Sequence, residues 1–122
     1  MARGVFAWAV AAILVSCEHA CPELPPEVDL GLASDVLRSH VSWDPGAGPV
    51  AEHLAKRLQA PLHMGQYSRL LVDLNRSPDN PEAVPAVAFG TPVPANAALS
   101  PAAREERLAR YHRPYFEAVE AD

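Results

Sequence analysis

Ser68-Arg-Leu-Leu-Val-Asp-Leu-Asn-Arg-Ser77 is the stretch that decides how the chain is read. The apolar run Leu70-Leu71-Val72 predicts a buried strand over Leu70 to Leu74. Arg69 stands before it, and Asp73, Asn75 and Arg76 crowd its far end. A guanidinium carries a fixed fork of donors that meets a carboxylate at two points. Two of them across a rigid strand, with the Asn75 amide, form a clamp for a small acidic molecule. An arginine taken alone is ordinarily a solvated surface charge. The apolar frame and the Asp-Leu-Asn-Arg ending weigh about equally on the side of function.

A chain of 122 residues suits one domain. With 49% hydrophobic and 20% charged residues it can build a core, and wholesale disorder is excluded. The net charge of -5, without long runs of one sign, argues against nucleic acid as a partner. Beyond Cys17-Glu18-His19 no apolar run is long enough to cross a bilayer as a helix, so no membrane partner is expected. The 13 prolines gather at Pro22, Pro25 and Pro26 and again from Pro78 to Pro101, where they mark loops.

The amino terminus has two readings. Met1-Ala-Arg3 followed by Val5 to Val15 has the charged start and apolar stretch of a secretory signal, and Leu14-Val15-Ser16-Cys17 resembles a lipoprotein cleavage site. The competing reading is a buried first strand, Ala11 to Ser16, that delivers Cys17, Glu18 and His19 to its carboxyl end. Taken alone, the terminus fits the signal slightly better.

Leu30 to Leu37 is a weak helical candidate, and Ser39 to Pro49 is a loop holding His40, Trp43 and Asp44. Pro49 suits the first turn of a helix in which Val50, Leu54, Ala55 and Leu58 fall at helical spacing, ending near Gln59. Leu62 to Met64 is a second strand, and Leu70 to Leu74 a third. Asn75 to Ser100 lacks periodicity and reads as a long loop. Ser100 caps a last helix with Pro101 at its first position. Leu108, Tyr111, Tyr115 and Val119 form its apolar side, and Pro114 should kink it. The order is that of an α/β domain, a partial doubly wound sheet with flanking helices. Its sheet is thin, with an unprotected edge that a second copy of the chain could cover.

His19 follows a strand, and ligands in open α/β sheets collect beyond the carboxyl ends of strands. A lone histidine in such a place is more often structural than functional. Asp44, in Trp43-Asp44-Pro45-Gly46, is in isolation a turn-former. Cys17 and Cys21 alternate with His19, which would put all three on one face of an extended segment. Their spacing is not that of a zinc finger, and two free buried thiols are the simpler reading. His53, His63 and His112 have no evident partners, and His112 reads as part of a solvated helix face.

Three segments together resemble a known family. Val15-Ser-Cys-Glu-His-Ala20, Ser39-His-Val-Ser-Trp-Asp-Pro-Gly-Ala47 and Tyr67-Ser-Arg-Leu-Leu-Val-Asp-Leu-Asn-Arg-Ser-Pro78 are similar in order and interval to N-formylglutamate amidohydrolases. Arg110-Tyr-His-Arg-Pro-Tyr115 fits as well. The resemblance implies a fold akin to zinc-dependent exopeptidases and cleavage of an N-acyl amino acid such as N-formylglutamate to formate and glutamate. It implies that Asn75 and Arg76 hold the substrate carboxylate, with Arg69 as a second cationic contact. His19 and Asp44 would be ligands of a divalent metal, in the first place zinc. The His-x-x-Glu spacing of related peptidases is absent, since Pro22 stands where the glutamate would.

The resemblance settles the amino terminus as a strand and implies a cytoplasmic protein. It also makes residues 1–122 a single, truncated amidohydrolase-like domain, because domains of this kind run to roughly twice this length. Activity is then doubtful for want of a further ligand and a general acid/base. The alternative, from another class, is a small exported lipoprotein or anion-binding module that uses Arg69 and Arg76 without catalysis.

Overall fold

Val15–Cys17 (β1) and Leu62–Met64 (β2) pair in parallel, Val15 opposite Leu62 and Cys17 opposite Met64, in a computed structural model that describes residues 13–122. The signal-like Met1 to Ala12 and the first two residues of the expected strand lie outside the described residues. Between the strands run a single helical turn, Ser34–Leu37 (α1), and the helix Ala47–Leu58 (α2). Beyond β2 come a 3-10 turn at Pro81–Ala83, a hairpin of Val87–Ala88 (β3) and Thr91–Pro92 (β4), and the short helix Pro94–Ala97 (α3). Helix Pro101–Arg107 (α4), a π-helical turn at Leu108–His112 and helix Arg113–Ala121 (α5) close the chain. The described residues thus form a mixed α/β domain with two two-stranded sheets.

Leu70 to Leu74 is buried as its composition demands, but it is not a strand. Leu70 and Leu71 are fully buried, Val72 and Leu74 nearly so. Turns and side chains replace a ladder here. The Arg69 amide donates to Ser42 O, the Leu70 amide to Ser68 Oγ, and the Asp73 amide to Ala83 O at 2.7 Å. The Asn96 side chain, itself buried, donates to the carbonyls of Leu70 (2.7 Å) and Pro85 (2.8 Å). Backbone satisfaction and apolar burial are separate requirements, and periodicity reports only the second.

The stretch divides its side chains between two cores. Leu70 joins Leu30, Val41 and Val93, while Val72 and Leu74 join Ala83, Val84 and Leu108. A third cluster, Val15 with Ala51 and Ala55, joins α2 to the parallel strands. Full burial of one such leucine stabilises by roughly 1.5–3 kcal/mol.

Helix α2 forms where expected, starting two residues before Pro49, but turned about its axis. Gly48, Ala51 and Ala55 face the sheet, whereas Val50, Leu54 and Leu58 are 67%, 46% and 47% exposed. Close approach selects the small residues, since a Cβ on Gly48 would already meet Ala20 O at 3.3 Å. Gln59, in the left-handed conformation, ends the helix as anticipated.

The expected long loop carries structure of its own. Asn80 accepts from the Glu82 amide at 2.9 Å and starts the 3-10 turn, and Gly90 permits the tight β3–β4 turn. Ser100 caps α4 through the Ala103 amide at 3.1 Å. Proline has no donor and crowds the carbonyl four residues back, so Pro114 disturbs the long carboxyl-terminal helix. That disturbance takes the form of the π-helical turn just before it.

Candidate functional site

Three segments meet beyond the carboxyl end of β1. His19 comes two residues after the strand, and its carbonyl accepts from the Asp44 amide at 2.9 Å. The loop bearing Asp44 is bound in turn to the Ser68–Ser77 stretch. Ser42 Oγ and Ser68 Oγ lie 2.6 Å apart in full burial, and Ser68 Oγ also bonds Ser42 O at 2.9 Å. This hydroxyl pair fixes where Arg69 starts.

Arg69 is held along its whole head. Nε donates to Val41 O at 3.1 Å and Nη2 to His40 O. Nη1 lies 3.2 Å from His19 Nδ1 and 3.4 Å from Asp44 Oδ1. On the other ring nitrogen, His19 Nε2–H donates to Asp73 Oδ1 at 2.6 Å. That bond fixes the tautomer and turns the Nδ1 lone pair toward Asp44, whose Oδ2 is 3.4 Å away. Asp73 also accepts the Asn75 amide at 2.9 Å and faces Arg76 Nε at 3.8 Å. Arg76 Nη2 reaches Glu82 Oε2 at 3.6 Å, and roughly half of the Arg76 side chain is open to solvent.

Electrostatics follow from these contacts. The hydrogen bond to Asp73 raises the His19 pKa despite burial and the nearby Arg69 charge. Burial pushes the Asp73 carboxyl up, but the bonds from His19 and the Asn75 amide, with the charges of His19 and Arg76, hold it below its ordinary value. A raised histidine stabilises fully below its unfolded value of about 6.5, and the effect is lost as pH rises through the folded value. A depressed aspartate stabilises above its unfolded value of about 3.9, and the effect is lost as pH falls through the folded one. The metal-free wild type should therefore exceed Asp73→Asn in urea stability by its widest margin between about pH 4 and 6.5. A margin that stays level from pH 3 to 9 would mean that the pair is not the cause.

His19, Asp44, Arg69, Asp73, Asn75 and Arg76 line one cavity of about 500 Å³. All five residues singled out in the sequence are thus brought together, but not as a two-arginine clamp across a strand. Arg69 stands at the histidine end, Asn75 and Arg76 at the other. A larger cavity of about 770 Å³ lies on the far side of Asn75 and Arg76. There the Tyr115 hydroxyl donates to Glu18 Oε2 at 2.7 Å, and burial, with that bond added, pushes the tyrosine pKa up.

Imidazole and carboxylate are suitable donors for zinc or a similar divalent metal, and Asp73 provides the supporting carboxylate that metal-binding histidines usually have. The set is short by one donor. His19, Asp44 and Asp73 meet, but Asp73 is taken up by the far ring nitrogen of His19, and among the described residues no group of three or more His, Cys, Asp or Glu side chains is arranged to hold a metal ion. The face of Cys17, His19 and Cys21 considered as a soft-metal site does not form, and Cys21 Sγ bonds the Gln66 carbonyl at 3.0 Å.

Asp73 and His112 escaped the sequence reading. Asp73 was visible as the first residue of Asp-Leu-Asn-Arg, though nothing local tied it to a histidine 54 positions away. His112 is not on a solvated face. It is buried, stacks on Phe116 with ring centres 5.0 Å apart, and donates from Nε2 to Arg76 O at 2.8 Å. The π-helical turn thereby anchors the backbone of the arginine that faces the cavity.

No curated protein matches the chain. The crystal structure of a gene product from Agrobacterium tumefaciens is similar to it, with 38% identity and a TM-score of 0.85 over 88% of this chain and 43% of that one. The present chain thus spans less than half of that relative's length. Residues 11–122 match the family model described as N-formylglutamate amidohydrolase. With nearly all of its sequence inside that match, the chain belongs to the N-formylglutamate amidohydrolase family.

Proposed function

We propose that the chain carries the substrate grip and two metal donors of a metal-dependent amidohydrolase acting on an N-acyl amino acid such as N-formylglutamate. The observation behind this reading is the order of groups along one cavity, with Arg76 at one end and His19, Asp44 and Arg69 at the other. The half-exposed Arg76 guanidinium, beside Asn75, suits the substrate carboxylate. With the carboxylate there, the acyl amide falls near His19 and Asp44.

His19 Nδ1 and Asp44 would hold a divalent metal once Arg69 Nη1 yields the Nδ1 lone pair it now faces at 3.2 Å, and such a metal would supply Lewis acidity toward the amide carbonyl and toward water. The protein's own groups do the rest of the positioning. Asp73 keeps the proton of His19 on Nε2, and Arg69 Nη1 is placed to donate to an oxygen that gains negative charge. Hydrolysis adds water across the C–N bond and releases formate and glutamate. Three protein ligands are usual for a catalytic zinc. We assign the third, and the general acid/base, to the part of the relative's length that residues 1–122 do not span.

The unit β1–α2–β2 supports the finer fold reading, the beginning of a doubly wound sheet like that of zinc-dependent exopeptidases. No helix among the described residues is long and apolar enough to cross a membrane. Cleavage before Cys17 would remove most of β1, which favours an uncleaved, cytoplasmic protein.

Zinc titration of the purified chain tests the metal centre. Wild type should bind one zinc, and His19→Ala and Asp44→Ala should each weaken it by at least about tenfold. Affinity unchanged in both variants would remove the metal centre from the proposal. Chelator-sensitive release of formate from N-formylglutamate by wild type would instead show that residues 1–122 supply the remaining ligand and the general acid/base themselves.

A further inference from the structure

The β3–β4 hairpin turns through Phe89 (φ 49°) and Gly90 (φ 76°), two successive residues with positive φ. Such turns favour asparagine or aspartate followed by glycine. A bulky phenylalanine there costs on the order of 1 kcal/mol in backbone strain. The ring gains nothing from a core in return. It is 67% exposed and belongs to none of the three apolar clusters, although Ala88 beside it packs against one of them.

Its position is nevertheless specific. The Arg69 guanidinium carbon lies 4.8 Å from the ring centre, and the His40 ring meets it edge-on at 5.7 Å. Phe89 also lines the cavity that holds His19, Asp44, Asp73 and Arg76. Contacts run in one order, from Arg76 to Asp73, His19, Arg69 and Phe89. A ligand with its carboxylate on Arg76 and its amide beside His19 extends its acyl group toward Phe89.

We propose that Phe89 is the wall of an acyl subsite and limits the enzyme to short acyl groups. This deepens the amidohydrolase reading and rests on it. A ring anchored on a pinned guanidinium cannot easily swing aside, and Arg69 is fixed by two backbone carbonyls. A formyl group has no carbon beyond its carbonyl and fits against the wall. Each added methylene must displace the ring or lift the carboxylate from Arg76.

Calorimetric binding of N-formylglutamate and N-butyrylglutamate to the full chain distinguishes the possibilities. Phe89→Gly, which also relieves the strained turn, should improve N-butyrylglutamate relative to N-formylglutamate by about tenfold or more. Phe89→Leu keeps apolar bulk and should keep most of the wild-type preference. Thermal unfolding of Phe89→Gly at or above the wild-type temperature would confirm that the ring is not there for stability. If wild type binds N-formylglutamate and the Phe89→Gly ratio stays within about twofold, the subsite is overturned and the amidohydrolase reading stands. If wild type binds neither ligand, both fall.

Discussion

Gly65→Ala is expected to be the most destabilising single substitution proposed for this chain. A Cβ at position 65 would stand 2.1 Å from the carbonyl oxygen of Glu18 and 3.2 Å from Leu74 Cδ1. The first clash is with backbone, so no rotamer change relieves it. Gly65 donates to Cys17 O at 2.9 Å, which makes the approach part of the seam between the ends of β1 and β2. Opening that seam breaks the bond or shifts Glu18 and His19. The cost should reach or exceed about 3 kcal/mol, the upper part of the range for overpacking. In urea unfolding the midpoint should fall steeply with an unchanged slope. A loss below about 1 kcal/mol would mean that the two strand ends separate easily and that His19 is less firmly placed than the packing implies.

Arg76→Ala should have the largest effect on ligand affinity. Its guanidinium is the half-exposed cation in the cavity, since Arg69 is committed to two carbonyls and to His19 and Asp44. Hydrogen bonds to a charged group contribute about 1.5–3 kcal/mol, so N-formylglutamate should bind roughly 10- to 150-fold more weakly. Arg76→Lys should recover part of the loss, because a lysine restores charge but not two-point geometry. The parent fold should tolerate both, because the pair with buried Asp73 is long at 3.8 Å and that carboxylate keeps its bonds from His19 and the Asn75 amide, while the other partner, Glu82, is exposed. Unchanged affinity in Arg76→Ala would relocate the carboxylate and remove the reason for reading the Asp-Leu-Asn-Arg segment as a grip.

How much of this was legible follows from what each signal reports. The strand before His19 was one of two readings of the amino terminus, and only the family resemblance decided for it. The β2 strand and the α2 helix were visible, since apolar runs and proline placement are local. The rotation of α2 was not. Gly48, Ala51 and Ala55 face the sheet because closeness outweighed the larger apolar area of Val50, Leu54 and Leu58, and only the partner surface decides that. The Leu70 to Leu74 strand failed for a related reason. A buried apolar run needs partners for its backbone, and Asn96, 26 residues from Leu70, is one of them.

The site divides along the same line. His19, Asp44, Arg69, Asn75 and Arg76 were found as residues, helped by the family resemblance, and the structure supplies their order in the cavity. Asp73 became functional only when folding set it against His19. Phe89 left no periodic trace at all, because its placement depends on two positive backbone angles.

The π-helical turn at Leu108–His112 has one more consequence. Its hydrogen bonds span five residues where those of an α turn span four, so it takes up one residue more without changing the phase between α4 and α5. Deleting one residue within it would let the segment close as continuous α-helix, with Leu108 still in its cluster and Tyr115 still beside Glu18 and His63. What would move is His112, whose ring now reaches the Arg76 carbonyl. A deletion early in α5 has no such slack and would rotate everything after it by about 100°. The π turn is therefore where this carboxyl-terminal helix can change length at least cost to its packing, and the group placed at stake is the histidine that anchors Arg76.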